Sequence, residues 1–240
     1  MTRKLLTYAG VVGPIVFVGG WLIGGVIEGH GYAWTKHDIS DLGALTARHA
    51  LLARGSLFVS AILIGAFAVG ALRPALAPAG RRGVIAALLF LPSLLVLDGL
   101  SDTFFREDCR LADVGCAAAN QFASGHAKVH VIAFVIAAIP TLILPFVLRG
   151  AFRRLDGWRD LATPALWFGL VFVAVFVATG ASTGTAVQGV TQRIAATLAA
   201  AGTIAVAARV LRLEHHVASP SDRGRTDYLA AVAGAHRAHD

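Results

Sequence analysis

Charge is scarce in this sequence: of 240 residues, 15% are Asp, Glu, Lys or Arg, against 56% that are hydrophobic. A water-soluble domain draws about a quarter of its residues from the charged set, so an ordinary soluble globule is excluded. Cysteine is nearly absent too, with Cys109 and Cys116 alone, which excludes a disulfide-rich scaffold and a four-cysteine zinc site. No segment recurs with a period of about 20 to 50 residues, which excludes solenoids and propellers, and no glycine-rich phosphate loop is present. The first apolar stretch has no small-residue cleavage pattern before Glu28, so it is expected to stay in the protein as a span and not to leave as a signal peptide.

Long apolar runs are what the chain does have. A helix needs roughly 20 mostly apolar residues to cross a bilayer. Runs of that kind predict helices over Leu5–Ile27, His49–Leu72, Gly83–Phe104, Lys128–Leu148, Leu161–Gly180 and Val190–Leu211. Pro14, Pro92, Pro140, Pro145 and Pro164 fall inside or at the start of these runs and predict kinks more than ends, because neighbouring helices can satisfy the freed backbone groups. The expected fold class is therefore all-α, an integral membrane bundle of six transmembrane helices over residues 1–213, followed by a polar tail over 214–240. The part of that tail from Val217 to Asp240 is expected to be mostly disordered, with a transient helical turn over Tyr228–Ala235.

Basic residues sort the connections. Arg3, Lys4, Arg73, Arg81, Arg82, Arg149, Arg153, Arg154, Arg159, Arg209 and Arg212 fall on one side and predict a cytoplasmic face with both termini. Lys36, Arg48, Arg54, Arg106, Arg110 and Lys128 on the other side are offset by Glu28, Asp38, Asp41, Glu107, Asp108 and Asp113. Outer loops are expected at Glu28–Arg48, Phe105–Ala127 and Ala181–Gly189. The net charge of +7 is spread over short loops beside helices, so it reads as topology and no nucleic-acid partner is expected. The expected setting is the cell membrane, multi-pass, with membrane lipid as partner; nothing in the sequence sets an oligomeric state. Cys109 and Cys116 share an outer loop, where an oxidising exterior favours a disulfide.

Ionisable residues inside spans cost on the order of 3 kcal/mol each, so each needs an explanation. Asp98 and Asp102, four apart near the outer end of the third span, share one helical face. His126 and His130 repeat that spacing at the start of the fourth, as a pair of metal ligands or a proton relay would. Asp108 lies in the loop between them. Gln192 and Arg193 open the sixth span, where Arg193 needs an acidic partner or a lipid phosphate; Asp98 or Asp102 is the expected one. In the first outer loop, Asp38 or Ser40 can cap a short helical turn, and Asp38, Ser40 or Asp41 can equally dip into the acid and imidazole cluster.

The pieces Gly13-Pro14, Ile39-Ser40-Asp41-Leu42-Gly43, Phe105 to Asp108 followed by His126 and His130, and Gln192-Arg193 resemble the bacterial and archaeal membrane family catalogued as domain of unknown function 998. The resemblance covers roughly Gly10 to Leu213. It departs where the family pattern has a proline around the loop aspartate and a glycine after the first histidine; Glu107, Cys109 and Ala127 stand there. The resemblance implies a six-helix bundle and no established reaction.

Two functions follow from the residues. One is a membrane enzyme at the outer leaflet, hydrolytic on a lipid or isoprenoid-like substrate, with Asp98, Asp102, Asp108, His126 and His130 as its chemical groups and Ser40, Asp41, Gln192 and Arg193 as binding groups. It runs either on zinc or another divalent metal held by His126 and His130, or on a metal-free acid and base pair. The other is a non-catalytic lipid-binding, transport or assembly protein whose charges form a structural network.

Overall fold

A computed structural model of the chain describes residues 2–29 and 31–218, and every regular element in them is helical. Helix α1 spans Arg3–Ile27. Helix α2, Ala50–Phe67, runs through a wide π-turn at Ala68–Leu72 into α3, Arg73–Leu76, so that the whole helical rod covers Ala50–Ala79. The next apolar run is divided into α4, Arg81–Leu88, and α5, Gly99–Phe104. A four-residue helix α6, Ala118–Gln121, lies in the following loop. Helices α7, Gly125–Phe152, α8, Ala162–Ala181, and α9, Gln188–Ala218, complete the chain. The last continues beyond Leu213, so Glu214 is helical and reaches back to Arg3 at 2.9 Å; the expected tail beyond Ala218 lies outside the described residues.

Five of these helical stretches are long and apolar enough to cross a membrane: Arg3–Ile27, Ala50–Ala79, Gly125–Phe152, Asp156–Ala181 and Gln188–His215. The chain is thus a multi-pass membrane-type protein, and its outward faces agree, with Val26, Leu51, Ile139 and Trp167 all more than 60% exposed. The expected third span, Gly83–Phe104, is not one helix. Helix α4 gives way to turns over Leu89–Leu91, Pro92 has no N–H to donate, and Ser93 is extended at φ −84°, ψ 167°. The chain re-enters helix through a π-turn at Leu94–Asp98. A break in apolar surroundings leaves backbone groups to satisfy. Thr141 on α7 does so: the Leu94 N–H donates to its hydroxyl at 2.8 Å, and the hydroxyl donates to Ala137 O at 2.8 Å. Pro14, Pro140 and Pro145, by contrast, sit inside unbroken helices.

The helices pack as a ring. Helix α1 lies between α2 and α9, α8 between α9 and α7, and the divided segment closes the circle, α4 on α7 and α5 on α2. Small residues set the α1–α2 contact: a Cβ on Gly10 would stand 2.5 Å from the Phe67 ring, and one on Gly20 2.0 Å from Ser56 Oγ. In lipid the association of helices rests on such close approach and not on expulsion of water. Phe67, Ile64, Leu72 and Leu76 are fully buried in the core this creates.

The connections 28–49, 105–124 and 182–187 gather at one end of the ring, called the loop end below. Leu45 N–H donates to Glu107 O at 2.9 Å, and Gln188 ties the third connection to the first, its Oε1 accepting the Gly184 N–H and its Nε2 donating to Asp38, both at 2.5 Å, so the three connections form one layer. Cys109 and Cys116 are joined by a disulfide with Cα atoms 6.1 Å apart, as expected from their shared loop. Arg110, beside it, donates to the fully buried Glu28 at 2.5 Å and to Asp113. Glu28 also accepts the N–H groups of Arg48 and His49 at 2.8 and 3.1 Å, where α2 begins and its amides lack helical partners.

Candidate functional site

Two polar centres lie at the loop end. The first is built on α5 and α7. Asp98, Ser101 and Asp102 fall on one face of the re-formed helix, three and four residues apart. His130, one turn into α7, brings Nδ1 to 2.6 Å from Asp102 Oδ1, and both side chains are nearly buried, at 11% and 14% exposure. Asp98 is within electrostatic range of both. His130 Nε2 looks the other way, toward Glu107 Oε1 at 3.7 Å, and Phe122 stacks on the ring at 6.1 Å. Glu107 Oε2 accepts from Gln121 Nε2 at 2.8 Å, and the same amide donates to Asp41 Oδ1 at 3.0 Å. Carboxyl, imidazole and amide groups therefore run in a chain, Asp102, His130, Glu107, Gln121, Asp41, from the bundle into the loop layer, with Asp98 near its inner end.

This chain is short of partners. Asp98 Oδ1, Ser101 Oγ and Asp41 Oδ2 are sealed from solvent and make no hydrogen bond among the described residues, and beyond their mutual contact Asp102 Oδ1 and His130 Nδ1 make none either. Four carboxyls meet one imidazole here, and such carboxyls cannot all be ionised at little cost. In the loop layer the consequence is visible: burial, reinforced by Asp41, pushes Glu107 up to about 8, and burial pushes Asp41 up to about 6.

The second centre is built on the first turns of α9. Arg193, 4% exposed, donates through Nη1 to the carbonyls of Trp34, His37 and Gly189 at 2.7, 2.8 and 2.9 Å, and through Nη2 to the Tyr32 hydroxyl. Its guanidinium lies 5.5 Å from the Trp21 ring centre and 5.8 Å from that of Tyr32. Gln192 Oε1 accepts the Ile39 N–H at 2.6 Å, and Gln188 Nε2 donates to Asp38 at 2.5 Å. Residue 189 must be glycine for this: a Cβ there would stand 2.4 Å from His37 O and 2.5 Å from Trp34 O. His37 holds the loop from within, its Nδ1 accepting the Ala33 N–H at 2.9 Å, and burial lowers its pKa in keeping with that neutral role.

A family model described as "Protein of unknown function (DUF998)" matches residues 11–209. The chain belongs to the DUF998 family. No curated protein and no solved structure matches it. In this DUF998 protein the pieces that carry the resemblance meet one another: Ile39–Gly43 touches Gln192 through Ile39 and the Phe105–Asp108 loop through Asp41 and Gln121.

Of the residues singled out from sequence, Asp98, Asp102, His130 and Asp41 come together. Ser40 sits beside Glu107 at the start of a single helical turn, Ser40–Gly43, which no side chain caps; Asp38, the other expected cap, faces Gln188. His126 and Asp108 stand apart. His126 is exposed, one turn nearer the helix start than His130, and its Nε2 accepts the Arg106 N–H at 3.0 Å. Asp108 accepts from Ser124 N–H and Oγ at 2.8 and 2.7 Å, while Ser124 Oγ caps α7 by accepting from Ala127 N–H. Those bonds hold its pKa down. The two histidines therefore do not converge on one ligand position, and no three His, Cys, Asp or Glu side chains among the described residues are set to hold a metal ion. The expected pairing of Arg193 with Asp98 or Asp102 is also corrected: backbone carbonyls and Tyr32 take the place of an acid on Nη1 and Nη2, because the first loop folds over the start of α9. Glu107, Gln121, Glu28 and Tyr32 were missed. Their signal was only that they are polar loop residues, which does not tell a buried acid from a solvated one.

Proposed function

We propose that this protein is a cell-membrane enzyme of the outer leaflet that performs metal-free acid and base chemistry on a lipid or isoprenoid-like substrate, with His130 as the proton-transferring group. The observation that carries this is the buried contact of His130 with Asp102, with Glu107 facing the opposite ring nitrogen. Asp102 orients the ring, Nε2 takes or gives the proton, and Glu107 acts as the reservoir beside it. Asp98 and Ser101, with unpartnered oxygens on the same face, supply binding groups for a polar head. In this reading the bundle crosses the membrane six times, the divided segment Arg81–Phe104 being the third crossing. Both termini then lie in the cytoplasm, because the arginine-rich connections belong to the end opposite the loop layer.

Topology is tested by replacing Cys109 and Cys116 with serine and introducing single cysteines. A cysteine at Val114 should react with an impermeant maleimide from outside and one at Gly80 should not; labelling of Gly80 from outside refutes the orientation.

The chemistry is tested by reconstituting the protein into vesicles of total membrane lipid and following the lipid pool by mass spectrometry. Conversion of one lipid class is expected, reduced about a hundredfold or more in His130→Ala and Asp102→Asn. A folded wild type that converts nothing refutes the enzyme reading. That outcome favours the second reading, a non-catalytic network, which has its own observation: neither of the two cavities described for the bundle is lined by Asp98, Asp102 or His130.

A further inference from the structure

A groove of about 530 Å³ opens between α1 and α9 near the loop end, away from the acid and imidazole chain. Its walls are apolar, Leu22 and Val26 on α1 and Ile194 and Leu198 on α9, and Leu22, Val26 and Ile194 are 51%, 82% and 47% exposed, so the groove faces the surrounding lipid. At its head stand Trp21, Trp34 and Arg193. Trp21 lies six residues before the end of α1 and Arg193 five residues after the start of α9, so both are roughly 8 Å below the helix ends, the depth of an interfacial region.

Polar capacity is left over at this head. A guanidinium has five N–H donors. The hydrogen bonds of Arg193 run through Nη1 and one direction of Nη2, leaving Nε–H and a second Nη2–H without a partner among the described residues. Arg193 forms no ion pair there either; Asp38, the acid within its field, gives its carboxylate to Gln188. A cation at interfacial depth with spare donors, at the head of an apolar trough, is complementary to a phosphate that carries an apolar chain.

We propose that the α1–α9 groove is a binding site for an anionic phospholipid, its phosphate oxygens accepting from the free edge of Arg193 and one acyl chain lying between Leu22, Val26, Ile194 and Leu198. This site stands on its own observations and does not depend on chemistry at His130.

The test uses the full chain in nanodiscs doped with phosphatidylglycerol or phosphatidylcholine bearing a diazirine on one acyl chain. Phosphatidylglycerol should crosslink to peptides of α1 around Trp21–Val26 and α9 around Val190–Leu198, about fivefold more than phosphatidylcholine. Thr197→Trp, which fills the groove one turn along α9 from Arg193, should abolish both. His130→Ala should leave crosslinking intact, so a failed enzyme reading and a failed groove give different results. Equal labelling by the two lipids, or labelling of these peptides that survives Thr197→Trp, overturns the proposal.

Discussion

Replacing Arg193 with methionine should cost about 3–5 kcal/mol of stability, the largest loss expected of any single substitution at the loop end. Methionine keeps much of the apolar stem but leaves the loop carbonyls of Trp34 and His37, which now share Nη1, buried without that donor. Those carbonyls belong to the first connection, and without the fork that connection has only Gln192, Gln188 and the Val190 amide to hold it on α9. The midpoint of thermal unfolding should fall by roughly 10 °C, and limited proteolysis should open the chain first between Tyr32 and Asp41. Arg193→Lys should recover little, because one ammonium cannot serve carbonyls and the Tyr32 hydroxyl on two separate nitrogens. Gly189→Ala should reproduce much of the loss, since its Cβ would meet the same two carbonyl oxygens at 2.4 and 2.5 Å. A fall of less than about 2 °C in Arg193→Met would mean that the loop is held by something other than the guanidinium.

Apolar run length was enough to place the helices, because the bilayer demands about 20 residues of low polarity and little else in this sequence competes for them. It could not say which proline breaks a helix. Pro14, Pro140 and Pro145 are absorbed, while Pro92 ends α4, and the difference lies across the bundle in Thr141, whose hydroxyl is placed to take the freed Leu94 amide. Spacing was equally half-informative for the histidines. A separation of four residues does put His126 and His130 on one face, but α7 begins at Gly125, so His126 remains in the first turn at the level of Asp108 and Arg106 while His130 enters the bundle.

The partner of Arg193 was illegible for a different reason. Composition argues for an acid because acids are the partners a sequence displays, whereas every residue carries a carbonyl, and only the path of the chain decides which carbonyls turn inward. Of the expected partners, Asp102 went to His130 instead, with Asp98 nearby, and that pairing gives the acid cluster an imidazole at its centre. Glu107 was invisible to the same argument from depth: it lies in a loop, yet it is 2% exposed because the disulfide-bearing loop folds down over the Ser40–Gly43 turn.

Glu107 sets the pH dependence of the loop layer. A glutamate titrates near 4.5 when exposed, and in the fold burial and Asp41 move Glu107 to about 8, so between those values the folded protein holds a proton that the unfolded chain has lost. Folding then takes up a proton, and stability must fall as pH rises across that window. The contribution is intact below about 4.5, declines steadily toward 8 and is constant above it. Asp41, moved by burial to about 6, acts in the same direction over the lower part of the range. Asp108 and Asp113, whose hydrogen bonds hold them down, act oppositely but only in more acidic solution. The wild type should therefore unfold roughly 5–10 °C lower at pH 8.5 than at pH 5, a difference of ~3 kcal/mol. In Glu107→Gln the side chain is neutral at every pH, its amide oxygen still accepts from Gln121 Nε2, and most of that slope should vanish, leaving the variant more stable than the wild type at pH 8.5 and close to it at pH 5. Were the variant instead destabilised equally at both pH values, Glu107 would be acting as an ionised partner of His130 across their 3.7 Å contact, and the shared-proton account of the carboxyl chain would fail.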